Sequence, residues 1–204
     1  MKRHKKTGLF FGSFNPVHNG HLILANYFTE HGDLDEIWFV LTPHNPHKKK
    51  ASLLPDHHRL YLLRLALEPY EKFKVSTVEF DLPQPNYTVH TLAHLKDLYP
   101  DKDFVLLMGA DSLAGLPKWK NYEQILRDHT IYVYPRRHAQ PPENLLRHPR
   151  VHYFEKAPIV EISASQIRND IAAGKNVRPL LPESVLEHIE NMNFYKKKNP
   201  VEKN

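Results

Sequence analysis

The chain has 204 residues, a length that is typical of one α/β domain and sufficient to bury a hydrophobic core. It has no cysteine, which excludes disulfides, thiolate metal sites and a cysteine nucleophile, and its net charge of +5 suits either nucleic acid or a phosphate-rich small molecule. No apolar run approaches the length of a membrane span and the basic N-terminus lacks the apolar core of a signal peptide, so we expect a cytoplasmic protein that does not bind membranes.

Strands and helices alternate along the chain. Short apolar runs predict strands over residues 7–11, 36–41, 73–80, 104–108, 130–134 and 151–154. Apolar residues at helical spacing predict helices over residues 18–31, 55–67, 88–99, 121–127, 163–173 and 182–192. This alternation predicts an α/β fold with a Rossmann-like, doubly wound parallel sheet and C-terminal helices. We expect a single domain over residues 1–204, with an ordered core from 6 to 195 and solvated tails at 1–5 and 196–204.

The residues best suited to chemistry follow the predicted strands directly. In doubly wound sheets, ligands bind beyond the carboxyl ends of the strands. The connections that carry these residues are the turn at 12–21, the loop at 42–50, Gly109-Ala110-Asp111 and Arg136-Arg137. The sequence therefore predicts one ligand site at this edge of the sheet.

The turn at 12–21 has the features of a phosphate site. It reads Gly-Ser-Phe-Asn-Pro-Val-His-Asn-Gly-His and connects a buried strand to a helix. The first turn of a helix offers unpaired N–H groups and a partial positive charge, and His18 and His21 lie on the same side of it. Two other interpretations stay open at this point, because the same residues could form an ordinary capped turn or, with His44 and His47, a zinc site.

This turn is similar to the G-x-F-[DN]-P-x-H-x-G-H signature of the nucleotidyltransferase superfamily. In that superfamily the two histidines hold the phosphates of a nucleoside triphosphate, so the resemblance implies catalytic roles for His18 and His21. Asn15 stands where many members have aspartate, and we assign it no catalytic role. The resemblance also implies ATP contacts for Gly12, Ser13, Phe14 and Gly20.

Further segments, from about residue 7 to residue 195, resemble the nicotinate-nucleotide adenylyltransferases within this superfamily. A P-H-K segment implies that His47 and Lys48 approach the substrate phosphates, although a run of lysines is more often a solvated charged surface. An N-Y-T segment implies that Tyr87 and Thr88 receive the acidic pyridine base, and Thr88 is also suited to cap the helix. An L-P-x-W segment implies that Trp119 stacks on the nicotinate ring, whereas such an aromatic side chain is usually part of the core.

Gly109-Ala110-Asp111 resembles the G-[AG]-D motif of the same family. The resemblance implies that Gly109 adjoins the nucleotide and that the Asp111 carboxylate accepts hydrogen bonds from ribose hydroxyls. Without the resemblance, this segment is an ordinary strand-to-helix turn with an aspartate cap. We also assign Arg136, which follows the fifth predicted strand, to ATP binding.

The segment at 162–168, which reads I-S-A-S-Q-I-R, resembles the family motif I-S-[ST]-[ST]-x-I-R that binds the β and γ phosphates. The resemblance implies that Ser165 binds ATP and that Arg168 is catalytic, although alanine replaces one hydroxyl residue at position 164. From the residues alone, Ser163 and Gln166 predict a capping box that starts a helix.

The function implied by the resemblance is the transfer of the adenylyl group of ATP to nicotinate mononucleotide, which gives deamido-NAD and pyrophosphate in NAD biosynthesis. The implied small-molecule partners are ATP and nicotinate mononucleotide, and the implied cofactor is Mg²⁺ that arrives with ATP, with no residue assigned to a metal. Most candidate residues are cations and N–H donors, which suits direct in-line attack without a covalent enzyme intermediate. A homo-oligomer is compatible with the sequence.

The alternatives belong to several classes. A sibling enzyme that uses nicotinamide mononucleotide or phosphopantetheine would keep the fold and the triphosphate site. A basic nucleic-acid-binding module would account for the charge but leave the two-histidine turn unexplained, so we expect no nucleic-acid partner. Class I aminoacyl-tRNA synthetases share a similar histidine turn, but this chain is short and lacks a K-M-S-K-S-like loop.

Overall fold

The computed structural model describes residues 4–43 and 53–197. Within them, one fully parallel sheet has six strands in the order β3-β2-β1-β4-β5-β6. The strands are β1 (Lys5–Gly12), β2 (Glu36–Leu41), β3 (Phe73–Ser76), β4 (Lys102–Gly109), β5 (Thr130–Tyr134) and β6 (Val151–Tyr153). The strand order reverses between β1 and β4, which confirms the predicted doubly wound, Rossmann-like sheet.

Helices connect most of these strands and follow the last one. In the described residues they are α1 (Asn19–His31), α2 (Asp56–Leu67), α3 (Thr88–Leu98), α4 (Ala110–Gly115), α5 (Tyr122–Asp128), α6 (Glu143–Leu146), α7 (Ala164–Ala172) and α8 (Glu183–Asn191). The helix predicted over 18–31 begins one residue later, at Asn19, with His18 as its N-cap and Gly32 as its C-cap. The last two, α7 and α8, are the predicted C-terminal helices.

Two hydrophobic cores lie on opposite faces of the sheet. One includes residues of α1, α2, α7 and α8, and the other includes residues of α3, α4 and α5. Neighbouring residues of β1 divide between them, with Phe10 in the first core and Leu9 in the second. Every residue of β2 is buried, which explains its almost continuous apolar sequence. In the part of the chain described, no helix combines the length and the apolar character needed to cross a membrane.

One carboxylate is buried at the amino end of the sheet. The side chain of Glu36, the first residue of β2, is 2% exposed, and it pairs with Lys5 of β1, Lys74 of β3 and Lys102 of β4 at 2.7 to 3.0 Å. Burial opposes its ionisation, but the hydrogen bonds from the three lysines hold the pKa of Glu36 well below its usual range. This cluster ties four strands together at the edge opposite to the one where ligands bind.

The structure corrects the predicted elements in four places. The strand predicted over 73–80 ends at Ser76, because the Ser76 hydroxyl accepts a hydrogen bond from the N–H of Val78 and the chain turns into a 3-10 helix at Val78–Phe80. The short helices α4 and α6 lie where a turn and a loop were predicted. Thr88 is the first helical residue of α3, and Tyr87, in an extended conformation, takes the N-cap position instead.

Candidate active site

The turn between β1 and α1 lies at the carboxyl end of the sheet. Phe14 has a φ of 41°, in the left-handed region that non-glycine residues rarely adopt, so its surroundings must hold the turn in place. Arg59, fully buried on α2, donates to the Ser13 carbonyl at 2.6 Å. Arg168, on α7, donates to the Asn15 carbonyl at 2.7 Å. Guanidinium groups from two helices therefore fix the backbone of this turn.

The two predicted histidines stand at the start of α1. Their rings stack with centroids 3.7 Å apart and an angle of 24° between the planes. The backbone N–H of His18 donates to Nδ1 of His21 at 3.2 Å, which assigns the proton of a neutral His21 ring to Nε2. Both side chains line one cavity, so they offer imidazole donors to a single ligand.

The environment of His18 sets its protonation state. The residue is 5% exposed, and its Nδ1 has no hydrogen-bond partner within residues 4–43 and 53–197. Burial, together with the positive charge of Arg136, lowers the pKa of His18 to about 4. His18 is therefore neutral near pH 7, and its imidazole offers a hydrogen-bonding dipole to an anion.

A cavity of about 710 Å³ opens in front of the two histidines, a size that suits a nucleotide. The predicted site residues that line it are Gly12, Ser13, Phe14, His18, His21, Asp111, Arg136, Ser165 and Arg168. The other lining residues are Phe10, Phe11, Asn15, Leu53, Tyr134, Arg137, Glu161, Ile162, Ser163 and Ala164. Residues from the first turn, from α4, from the end of β5 and from the start of α7 thus meet at one place.

Ser165 and Arg168 form one cluster on the α7 side of the cavity. Ser163 caps α7, with its hydroxyl accepting a hydrogen bond from the N–H of Gln166 at 3.5 Å. The predicted capping box is only half present, because the Gln166 side chain donates to Asp170 instead. Arg168 donates to the Ser165 hydroxyl at 3.2 Å. A guanidinium, a hydroxyl and a helix N-terminus therefore lie together, a combination suited to phosphate.

Arg136 lies on another side of the cavity, after β5. It donates to the Val160 carbonyl, and its guanidinium lies 5.2 Å from the centroid of the Tyr134 ring. Its Nε is buried, has no hydrogen-bond partner in the described part of the chain, and lies 3.9 Å from the Asp111 carboxylate. A Cβ atom at Gly109 would stand 2.4 Å from that carboxylate, so glycine leaves Asp111 the space it occupies.

The predicted acceptor-binding residues do not line this cavity. Tyr87 and Trp119 pack against the core on the α3 side of the sheet, and Thr88 begins α3. Lys120 places its ammonium 4.6 Å from the centroid of the Tyr87 ring. Phe11, which does line the cavity, packs against the same core.

Gly20 lies behind the cavity lining. A Cβ atom there would stand 2.7 Å from Val160 and 3.1 Å from the Nδ1 of His18. Glycine therefore lets the segment before α7 approach the start of α1. This brings the two histidines close to the cluster of Ser165 and Arg168. His47 and Lys48 lie outside the described residues, and their roles stay predictions.

Several residues of the site were not predicted from the sequence. Tyr134 ends β5, so the strand-end rule that pointed to Arg136 would have found it too. Glu161 lies between β6 and α7 in a segment with no periodic pattern, and no signal pointed to it. Arg59 has the spacing of a core-facing helical residue, but a buried cation is not what such spacing predicts.

Comparisons with known proteins identify the family of the chain. The Cytidylyltransferase-like family model matches residues 9–170 of the chain. A Flavobacterium psychrophilum protein named "Probable nicotinate-nucleotide adenylyltransferase" is 56% identical over 193 residues, which cover 94% of this chain and 100% of that protein. A Bacteroides fragilis protein of the same name is 47% identical over 184 residues, which cover 90% of each chain.

Solved structures share the fold. The structure of Plasmodium falciparum nicotinic acid mononucleotide adenylyltransferase complexed with NaAD aligns with a TM-score of 0.81 and 20% identity, over 94% of this chain and 98% of that chain. The structure of the same enzyme complexed with APC aligns with a TM-score of 0.80 and 20% identity, over the same shares of the two chains. At this identity the likeness concerns the fold alone. The family model and the much higher identities to the bacterial relatives show that this chain belongs to the nicotinate-nucleotide adenylyltransferase family, within the cytidylyltransferase-like proteins.

Proposed function

We propose that this protein transfers the adenylyl group of ATP to nicotinate mononucleotide in NAD biosynthesis, giving deamido-NAD and pyrophosphate. One observation supports this above all: His18 and His21 line the same cavity as Arg168 and Ser165. One pair comes from the first turn of the chain and the other from α7, so the cavity has phosphate-binding groups on two sides. Membership of the family supports the choice of nicotinate mononucleotide as acceptor.

In the proposed reaction, an acceptor phosphate oxygen attacks the α-phosphorus of ATP. The new P–O bond forms as the bond between the α-phosphorus and the bridging oxygen breaks, and pyrophosphate leaves with the electron pair. The attacking phosphate is already ionised near neutral pH, so no general base is needed. The task of the protein would be to align the two phosphates and to stabilise charge on the leaving group.

The cavity side chains would divide this task. His21 and the neutral His18 would donate hydrogen bonds to the α phosphate and the leaving pyrophosphate. Arg168, with Ser165, would hold the β and γ phosphates and supply a permanent positive charge. Arg136, which lines the cavity, would offer its guanidinium to the nucleotide.

We propose that Mg²⁺ accompanies ATP, held by phosphate oxygens and water. In the described residues, no group of three or more histidine, cysteine, aspartate or glutamate side chains could hold a metal ion. The cavity supplies single carboxylates, from Asp111 and Glu161, which suits a cation that keeps most of its other ligands from the nucleotide. When bound, Mg²⁺ would neutralise charge on the pyrophosphate.

The acceptor would bind next to the ATP cavity, against Tyr87, Thr88 and Trp119. The N-terminus of α3 at Thr88 offers backbone N–H groups that can bind a carboxylate, which nicotinate has and nicotinamide lacks. We propose that His47 and Lys48 approach the phosphates of the same substrates, and that the reaction takes place in the cytoplasm.

The test is pyrophosphate release from ATP and Mg²⁺ with one acceptor at a time. We expect a strong preference for nicotinate mononucleotide over nicotinamide mononucleotide and phosphopantetheine. Activity with phosphopantetheine alone would be compatible with the proposed triphosphate site but would contradict nicotinate mononucleotide as the acceptor. No release with any acceptor, from a folded protein, would overturn the enzymatic proposal.

A pair of arginine variants tests the cavity itself. Arg168→Met should lower kcat/KM for ATP by about a hundredfold, because a charged group that binds the β and γ phosphates of the leaving pyrophosphate is lost. Arg147→Met is the matched control, since Arg147 is exposed on the surface and pairs with Glu143. Equal activities of the two variants would contradict the proposed role of Arg168.

A further inference from the structure

The contacts of Asn15 connect the first turn to the last described segment of the chain. Asn15 is 1% exposed, and its side-chain oxygen accepts hydrogen bonds from the Tyr195 hydroxyl at 2.8 Å and from the N–H of Leu54 at 3.2 Å. Its backbone carbonyl accepts the hydrogen bond from Arg168 at 2.7 Å. One buried residue therefore joins Tyr195 to the guanidinium that, under the proposed function, binds the triphosphate.

The backbone after α8 is shaped to bring Tyr195 to this position. The N–H groups of Asn193 and Phe194 donate back to the carbonyls of Glu190 and Ile189, at 3.2 and 3.0 Å. Both Asn193 and Tyr195 have positive φ angles, 53° and 63°. Asparagine tolerates this region at helix ends, whereas tyrosine is strained there. A strained residue persists where its contacts outweigh the strain, so the contacts of Tyr195 must stabilise this conformation.

Those contacts hold both the ring and the hydroxyl. Phe194 and Tyr195 pack against the core on the α1 side of the sheet, and the Phe194 ring lies 4.6 Å from the ring of His58. Burial raises the pKa of Tyr195 far above its usual value, although the nearby charges of Arg168 and Arg59 act in the opposite direction. The phenol therefore stays protonated and donates to Asn15 across the working pH range.

We propose that Tyr195 is a positioning residue for the triphosphate site. Its hydroxyl fixes the side chain of Asn15, and the Asn15 carbonyl then holds Arg168 in the orientation in which it also reaches Ser165. Tyr195 touches no substrate and acts only through Asn15. This role also explains why asparagine serves at position 15, because a neutral amide oxygen is sufficient to accept both donors.

The first experiment compares Tyr195→Phe with the wild type. The variant loses one hydroxyl and keeps the packed ring, so we expect an unchanged fold by circular dichroism. We expect kcat/KM for ATP to fall about 5- to 20-fold, as for the loss of one buried hydrogen bond that orients a reacting group. The KM for nicotinate mononucleotide should change less than about twofold, because the acceptor binds elsewhere. Tyr61→Phe is the control, since Tyr61 is 48% exposed on α2 against His188.

A double-mutant cycle separates positioning from general stability. In an Asn15→Ala background, Tyr195→Phe should cause less than about a twofold further loss, because its partner is already absent. Asn15→Ser, whose hydroxyl is too short to reach the phenol, replaces Asn15→Ala if that variant does not fold. Unchanged kcat/KM for ATP in Tyr195→Phe, or the same fold loss in both backgrounds, would overturn the inference.

The control for the underlying assignment is the wild-type protein. If it releases no pyrophosphate with nicotinate mononucleotide, the proposed function fails. The inference is then tested on the same variants by the affinity for ATP, measured by calorimetry. This affinity should weaken about 5- to 20-fold in Tyr195→Phe. An unchanged affinity would overturn it.

Discussion

At the scale of single residues, His18 and His21 are unequal, although they look equivalent in the sequence. His18 is buried and neutral, whereas His21 is more exposed and uses its Nδ1 to accept a backbone hydrogen bond. We expect His21→Ala to lower kcat by about a hundred- to a thousandfold, as for loss of a donor to the developing charge. Pyrophosphate release measures this, with His31→Ala, exposed at the far end of α1, as the control. Near-normal turnover in a folded His21→Ala variant would exclude the role.

The pKa of His18 also predicts a pH dependence of stability. The folded-state pKa of about 4 lies below the ordinary value of 6.5. Between these two pH values, His18 binds a proton in the unfolded chain but not in the folded chain. Stability therefore decreases as the pH falls from 6.5 to 4, with a loss of roughly 2 kcal/mol at about pH 4.5 from this residue. Urea unfolding of His18→Gln should show a smaller loss between about pH 7 and pH 4.5 than the wild type. Equal losses in the two proteins would contradict the burial argument.

At the scale of elements, two glycines at opposite ends of α4 have opposite expectations: Gly109 is its N-cap and the last residue of β4, and Gly115 is its last residue. Gly109→Ala would place a methyl group 2.4 Å from the Asp111 carboxylate and 3.1 Å from Arg136, whereas a Cβ at Gly115 would meet nothing within 4 Å. We expect Gly109→Ala to raise the KM for ATP about tenfold, because it displaces two lining side chains. Gly115→Ala, at the other end of the same helix, should leave the KM unchanged and stability equal or slightly higher. Steady-state kinetics of the two variants measures the KM for ATP. An unchanged KM in Gly109→Ala would show that the position of Asp111 does not depend on glycine at 109.

The elements themselves were largely predictable, and the reasons are physical. β2 and β5 have apolar sequences bounded by turn residues, and the structure gives both with the predicted bounds. The sequence also predicted the edge of the sheet where the site lies, because ligand-binding residues follow parallel strands. Contacts between distant segments were not predictable, since periodicity reports one face of one element. The bond from Tyr195 to Asn15 and the burial of Arg59 belong to that class.

At the scale of the whole molecule, the two edges of the sheet have separate tasks. The carboxyl ends carry the cavity, and the amino ends carry Glu36 with its lysines from three neighbouring strands. We expect Glu36→Gln to lower the free energy of unfolding by about 2 kcal/mol, because three cations lose a buried partner. The kcat of the remaining folded protein should not change. Urea unfolding and pyrophosphate release measure the two quantities, and Glu30→Gln, an exposed pair with Lys72, is the control.

A loss of kcat without a loss of stability in Glu36→Gln would contradict this separation of the two edges. Loss of both would show that the amino ends of the strands also set the geometry of the cavity.

The hydrogen bonds that close the first turn come from far along the chain. Arg168 and Tyr195 reach Asn15 across 153 and 180 positions. During synthesis on a ribosome, the turn and both histidines emerge early, but their final contacts do not exist until nearly every described residue has been made. A nascent or truncated chain can pair β1 with β2 and still lack an assembled triphosphate site. The triphosphate site is therefore assembled only after Tyr195 has been made, late in the synthesis of the described residues.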